Sequence, residues 1–218
     1  SSAASDVYKR QGSANIKTTI SNVQLTAYNK DSFIGSKKDN KPLATQTMNE
    51  GGLIGLSNEV CTIENTSVSV DVYGSNAGGF VGINKKQLSV NENCYYGVTS
   101  DTSACGVYGY TSSGGMVGTQ NAAVTISKSA VKNAMIGIPT AKNGDAGIGG
   151  YVGIKANGDL KISDCEVNNV TLSAEDKSNG AGVGGVIGHN DRGSTYAYDI
   201  LINKLGYVRG CLLYTSDA

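Results

Sequence analysis

The stretch whose reading decides the fold is Gly78–Val98, GGFVGINKKQLSVNENCYYGV. Its first five residues fit the pattern Gly-Gly-x-[Ile/Val]-Gly, which occurs five times. The copies are Gly51-Gly52-Leu53-Ile54-Gly55, Gly78-Gly79-Phe80-Val81-Gly82, Gly114-Gly115-Met116-Val117-Gly118, Gly149-Gly150-Tyr151-Val152-Gly153 and Gly184-Gly185-Val186-Ile187-Gly188. Their starts are separated by 27, 36, 35 and 35 residues, and Asp31-Ser32-Phe33-Ile34-Gly35 is a degenerate sixth copy. A second phrase keeps its distance from the first. Ile63, Val90 and Ile126 each lie 12 residues beyond the first glycine of their copy, and Ile162 lies 13 beyond. Three positions further on the spacing places a small or polar residue: Thr66, Asn93, Ser129, Cys165.

A phrase this short cannot bury its own apolar face, so neighbouring copies must stack to make a core. The expected fold is therefore all-β, a parallel β-helix or β-solenoid of about five to six coils with a 27–36-residue repeat. In such a stack equivalent residues form ladders with one rung about every 4.8 Å. The β-branched fourth position (Ile54, Val81, Val117, Val152, Ile187) predicts an inward ladder. The second glycine shares its parity and leaves room for another part of the coil. The third position is apolar but variable (Leu53, Phe80, Met116, Tyr151, Val186), which predicts an outer face covered by the residues in excess of three short strands.

Composition agrees. The chain has 30 Gly, 20 Asn, only 2 Pro, no Trp and 17% charged residues. Val, Ile, Thr and Ser alternate with polar residues, and helical periodicity is absent. Formal net charge is zero with Lys scattered, so no nucleic-acid or anionic-membrane partner is expected. No apolar run approaches the roughly 18 residues that span a bilayer, so no membrane insertion is expected.

The two ends differ from everything between them. Val7-Tyr8-Lys9-Arg10-Gln11 can be coded GTG TAT AAG AGA CAG. The opposite strand, shifted by one base, reads Cys-Leu-Leu-Tyr-Thr, which is Cys211 to Thr215. Inverted copies of one DNA at both ends look like translated transposase-type sequencing adapter. Residues 1–11 and 211–218 are accordingly set apart as adapter-derived, and 12–210 is the repeat region, a fragment of a longer protein.

Cys61, Cys94, Cys105 and Cys165 have no metal-ligand spacing, and His189 is the sole histidine, so no metal site is expected. Cys94 and Cys105 are either a pair across a loop or two small buried side chains. Gly147–Gly153 and Gly182–Gly188 resemble a dinucleotide loop superficially. Val152 and Ile187 stand where the last glycine should be and no helix follows, so no cofactor is expected.

The phrase GGFVG followed by Asn93-Cys94-Tyr95 resembles the Glug motif, a glycine-rich repeat of large bacterial surface and secreted proteins. The likeness runs from about Ile16 to Asn190; other copies depart from it with Asn65-Thr66-Ser67, Lys128-Ser129-Ala130 and Asp164-Cys165-Glu166. It implies a solenoid-like, adhesin-like or protease-associated region at the cell surface or outside the cell, in which the repeats are generally not the catalytic part.

Two constellations could carry chemistry. Glu64, Glu92, Lys128 and Asp164 occupy similar repeat positions and could form an outward ladder, the arrangement a polysaccharide-cleaving β-helix would use; a solvated charged face is the simpler account. His189 is expected in a turn, and no catalytic triad can be drawn around it. Tyr95, Tyr96, Tyr108 and Tyr110 gather four of the ten tyrosines of the repeat region within 16 positions. Aromatic rings beside Asn, Ser and Asp suit a glycan or a host-protein partner; packing on the outside of the coil is the alternative. The expectation is a non-enzymatic structural or adhesive segment, with a carbohydrate-active β-helix and a passive spacer as the competing readings.

Overall fold

The computed structural model describes residues 12–29, 31–43, 48–99, 104–139, 146–174 and 181–209. The adapter-like ends, 1–11 and 211–218, lie outside the described residues. Those described are all-β. Every strand pairing is parallel except one, the small antiparallel pair of Lys37–Lys38 with Lys41–Pro42.

Each Gly-Gly motif joins two strands. The entry strands end on its first glycine: Asn49–Gly51, Asp71–Gly78, Cys105–Gly114, Ala146–Gly149 and Ala181–Gly184. The exit strands begin at its fourth residue: Ile54–Ser57, Val81–Asn84, Val117–Gln120, Val152–Lys155 and Ile187–Asn190. Exit strands pair with one another in sequence order, with Ser13–Ala14 at the edge of their sheet, and entry strands stack likewise in a second, larger sheet. The fourth-position ladder is in register from Ile54 through Val81, Val117 and Val152 to Ile187. All but the half-buried Ile187 are buried. The second phrase is equally regular, since Ile20, Ile63, Val90, Ile126, Ile162 and Ala197 form one rung series. The one extra residue between Gly149 and Ile162 is absorbed in the turn between Lys155 and Leu160, where Gly158 takes φ 84°.

Corners between strands are made by residues in the left-handed region. Asn22, Asn65, Lys128, Asp164 and Asp199 turn one corner, and Asn133, Asn169 and Lys204 the next. Asparagine and aspartate tolerate this conformation best, which accounts for asparagine at Asn22, Asn65, Asn133 and Asn169. One copy uses two such residues, Glu92 and Asn93. That insertion shifts the next rung, so Cys94 and not Asn93 aligns with Ser129. The column is thus Thr66, Cys94, Ser129, Cys165, and the expected place of Asn93 is corrected by one residue.

The third motif position also departs from expectation. Phe80, Met116 and Tyr151 are fully buried in the same cluster as the fourth-position residues. The Tyr151 hydroxyl donates to backbone carbonyls, with Glu166 at 2.8 Å. Alternation of faces holds only along an extended strand. The motif bends at its second and third residues, so both the third and fourth side chains reach the interior.

None of the glycines of the five full motifs has positive φ, so conformational freedom is not their reason. Space is. A Cβ on Gly78 would sit 2.6 Å from the amide nitrogen of Gly118, and one on Gly153 would sit 2.7 Å from that of Ser113. Entry and exit strands therefore approach backbone to backbone. The second glycine makes room for the carbonyl of the next copy's second glycine and for a side chain. A Cβ on Gly79 would run into the Gly115 carbonyl oxygen and meet the Tyr96 ring at 2.5 Å, and one on Gly115 would run into the Gly150 carbonyl oxygen and meet Val131 at 2.9 Å.

Candidate functional site

Three neighbouring strands build an outward-facing groove: Cys94–Gly97, Ser129–Ile138 and Leu160–Ala174. Their register aligns Tyr95 with Ala130 and Ala130 with Glu166. Two residues on, Gly97, Lys132 and Asn168 align in the same way. Ala130 is a methyl group between two long side chains, so the surface is hollow there. The groove encloses about 590 Å³, with Tyr95 at one end and Glu166 at the other. The left-handed corner residues Asn93, Lys128 and Asp164 also line it, as do Val98, Thr99 and Asn133.

Its two lysines are paired with carboxylates. Lys132 Nζ lies 2.7 Å from Glu166 Oε2, and Asn168 Nδ2 donates to Glu166 Oε1 at 2.8 Å. The hydrogen bond from Lys132 holds the Glu166 carboxyl below the ordinary glutamate value. Lys128 reaches Glu92 at 3.1 Å, but both side chains are more than half exposed, so this pair contributes little. Asn133 is fixed from both sides, donating to the Val98 carbonyl at 2.8 Å and accepting from Asn169 at 2.7 Å. The groove thus offers one aromatic ring and a set of oriented amide and charged groups.

The four tyrosines singled out from the sequence do not form one patch. Tyr95 is half-buried in the groove. Tyr96, the next residue on the strand, faces the opposite way and is fully buried. Its hydroxyl donates to the Val70 carbonyl at 3.0 Å, and burial raises its pKa well above the ordinary tyrosine value. The expectation that Tyr96 contacts a ligand is therefore corrected: strand alternation puts it in the core. Tyr108 belongs to a separate stack, its ring 4.7 Å from that of Tyr73 and nearly parallel to it. Burial pushes its hydroxyl up to about 12. Phe33 meets Tyr73 edge-on, and Lys37 Nζ lies 4.5 Å from the Phe33 ring centre. Tyr110 is half-buried on the same strand as Tyr108. Residues 100–103 of the intervening loop lie outside the described residues.

Sequence reasoning missed the Phe33–Tyr73–Tyr108 stack. The signal was a Tyr-Gly pair ahead of two motifs, Tyr73-Gly74 and Tyr108-Gly109, disguised by a register shift between Gly74 and Asn76. It also missed a polar column, Ser57, Asn84, Gln120, Lys155 and Asn190, buried in its first four members. Each of its first four members donates to backbone carbonyls of a following turn. Lys155 is fully buried and donates to the carbonyls of Arg192 and Gly193 and to Asn190 Oδ1 at 3.1 Å.

Of the suggested acid/base ladder, Glu92, Lys128 and Asp164 share a corner, whereas Glu64 pairs with Asn91 one rung position earlier. His189, expected in a turn, ends up in the strand Ile187–Asn190 with Nε2 2.6 Å from Asp191 Oδ1. The four cysteines are buried and free, so Cys94 and Cys105 do not pair. Burial pushes the thiols of Cys61 and Cys105 up to about 11, which makes them poor nucleophiles. Among the described residues no group of His, Cys, Asp and Glu could hold a metal ion, and no helix is long and apolar enough to cross a membrane.

Comparison with known proteins finds no matching family model, no matching curated protein and no matching solved structure.

Proposed function

We propose that the chain is a β-solenoid segment of about five to six coils from a bacterial cell-surface or secreted protein. In this reading it presents a contact surface for a glycan and catalyses nothing. The parallel ladders and the Gly-Gly repeat support the solenoid, and the likeness to the Glug motif supports the location. The observation that carries the contact site is the Tyr95 ring beside the Ala130 hollow, edged by Asn133 and the Lys132–Glu166 pair. A flat apolar face next to fixed hydrogen-bonding groups is what a sugar ring needs. Hydrolysis fits this groove less well, because a general acid needs a raised pKa and Glu166 is held ionised by Lys132.

Single contacts would be weak, since stacking on one tyrosine is worth on the order of 1 kcal/mol beyond burial. Avidity from many repeats or many chains would compensate. The test is a glycan array, with host proteins spotted alongside, probed with the full chain and with Tyr95→Ala. Glycan signals that fall roughly fivefold or more in the variant support the reading. Equal binding by both forms, signals on host proteins alone, or cleavage of a bound polysaccharide would each refute it.

A further inference from the structure

The charges around the Tyr95 groove leave a remainder. Its three strands lie inside the stack, with Ser67–Ser69 paired beyond Cys94–Gly97 and Thr195–Arg209 paired beyond Leu160–Ala174. Lys132 is engaged by Glu166 at 2.7 Å and Lys128 by Glu92 at 3.1 Å. Asp164 is left over. It lines the groove, is exposed, and among the described residues has no lysine, arginine or histidine within ion-pair distance.

The geometry gives that carboxylate a defined place. Asp164 turns a left-handed corner with φ 53°, two residues before Glu166 on the same strand. Tyr95, Ala130 and Glu166 occupy successive rungs, so the ring and the far wall stand two rungs, about 9.6 Å, apart. A sugar ring that rests on Tyr95 and fills the hollow over Ala130 presents its far edge to the wall of Asp164 and Glu166. A hydroxyl on that edge gains a hydrogen bond, and an ammonium gains a charge-assisted one. A sugar carboxylate is repelled there and meets no spare cation, because both lysines already have partners. Such repulsion excludes ligands as effectively as attraction selects them.

We infer that the groove selects a cationic amino sugar, one that carries a free ammonium group, with Asp164 as the residue that receives it. The inference rests on the glycan reading and adds the class of sugar. Tyr95 supplies the platform that any sugar would use, and Asp164 sets the preference among them. The carboxylate is exposed, so water and salt screen it. Its preference for an ammonium over a hydroxyl is therefore modest, about twofold to fivefold.

The test is an NMR titration of the full chain at low salt, below the pKa of the sugar amine, with three oligosaccharides of equal length. The first is β-1,4-linked glucosamine. The second is β-1,4-linked glucose, which has a hydroxyl in place of each ammonium, and the third is an oligogalacturonate. Asp164→Asn removes the charge and keeps the corner, since asparagine stands at the equivalent corners Asn22 and Asn65; circular dichroism checks the fold. Wild type should bind glucosamine about twofold to fivefold more tightly than glucose, and galacturonate least. Asp164→Asn should bring glucosamine down to the level of glucose and leave glucose unchanged. Lys128→Asn, which releases Glu92 beside the groove, should raise glucosamine affinity; a fall would contradict the inference. Equal binding of glucose and glucosamine by wild type, with both lost in Tyr95→Ala, overturns the inference and leaves the glycan reading standing. A glucosamine preference that persists in Asp164→Asn, a preference for galacturonate, or binding of none of the three overturns it too. Binding that Tyr95→Ala leaves unchanged refutes the glycan reading itself, and the inference with it.

Discussion

The Gly-Gly corner and the Tyr95 groove belong to the same repeats but obey different constraints. At the corner, entry and exit strands meet backbone to backbone, and even a methyl group on Gly78 or Gly153 would collide with a main-chain amide. In the groove, aligned positions hold Ser67, Tyr95, Ala130, Glu166 and Leu201, which share neither size nor charge. The first region is specified by excluded volume and repeats its sequence. The second faces outward, and the fold places no demand on what it carries. Function, where a stack of parallel repeats has one, belongs on the second kind of surface.

The largest effect should come from charging the inner ladder at the corner. Val152→Asp places an unpaired carboxylate between Val117 and Ile187, at a cost of about 3–5 kcal/mol. Chemical denaturation should find the variant largely unfolded; normal stability would mean that this residue does not face the core. Gly118→Ala comes next. Its methyl would lie 2.8 Å from the Ala77 carbonyl oxygen, and such overpacking costs about 1–3 kcal/mol. An alanine tolerated there without loss would contradict the space argument for the motif glycines. Lys155→Met should cost about 0.5–1.5 kcal/mol, the net worth of an ordinary hydrogen bond, because the exposed turn residues Arg192 and Gly193 lose a donor but stay open to water. A midpoint shift in urea would measure it.

The groove should respond least. Glu166 has a folded pKa below its unfolded value of about 4.3. Its contribution is therefore fully present above that value and lost as pH falls through the lowered folded value. Glu166→Gln should flatten that acidic limb of the stability profile and change little at neutral pH. The effect is small because Lys132 and Glu166 are both partly exposed. An unchanged acidic limb would show that the pair does not form in solution.

This contrast also explains what could be read from the sequence. The Gly-Gly motif and the Ile63–Val90–Ile126–Ile162 anchors were legible because a ladder admits one width at each place. The third position was misjudged because Phe80, Met116 and Tyr151 follow a bend, where alternation no longer tells inside from outside. Asn93 was misaligned because the second left-handed residue of that corner falls after Val90, so the Gly78-to-Val90 spacing of 12 does not register it. Of the proposed contact residues, Tyr95 and Tyr96 read alike, yet one rung of alternation separates groove from core. Tyr108 reached its stack through partners, Tyr73 and Phe33, more than thirty positions away in sequence, which only the register brings together. The groove itself had no sequence signature, since its hollow is made by Ala130 having neighbours one repeat to either side.

The central claim is that successive repeats stack in parallel and in register, and cysteine cross-linking tests it most directly. Ser89 and Thr125 are partners on adjacent strands. Parallel neighbours lie about 4.8 Å apart, within the Cα range of a disulfide. Ser127 lies two residues further along the same strand, which puts it roughly 8 Å from Ser89, beyond that range. Cys61, Cys94, Cys105 and Cys165 are buried, so they should not compete, and Cys211 is replaced by serine in both variants. The account predicts that Ser89→Cys/Thr125→Cys forms an intramolecular disulfide under mild oxidation while Ser89→Cys/Ser127→Cys does not. Equal cross-linking of both pairs, or preference for the second, would contradict it.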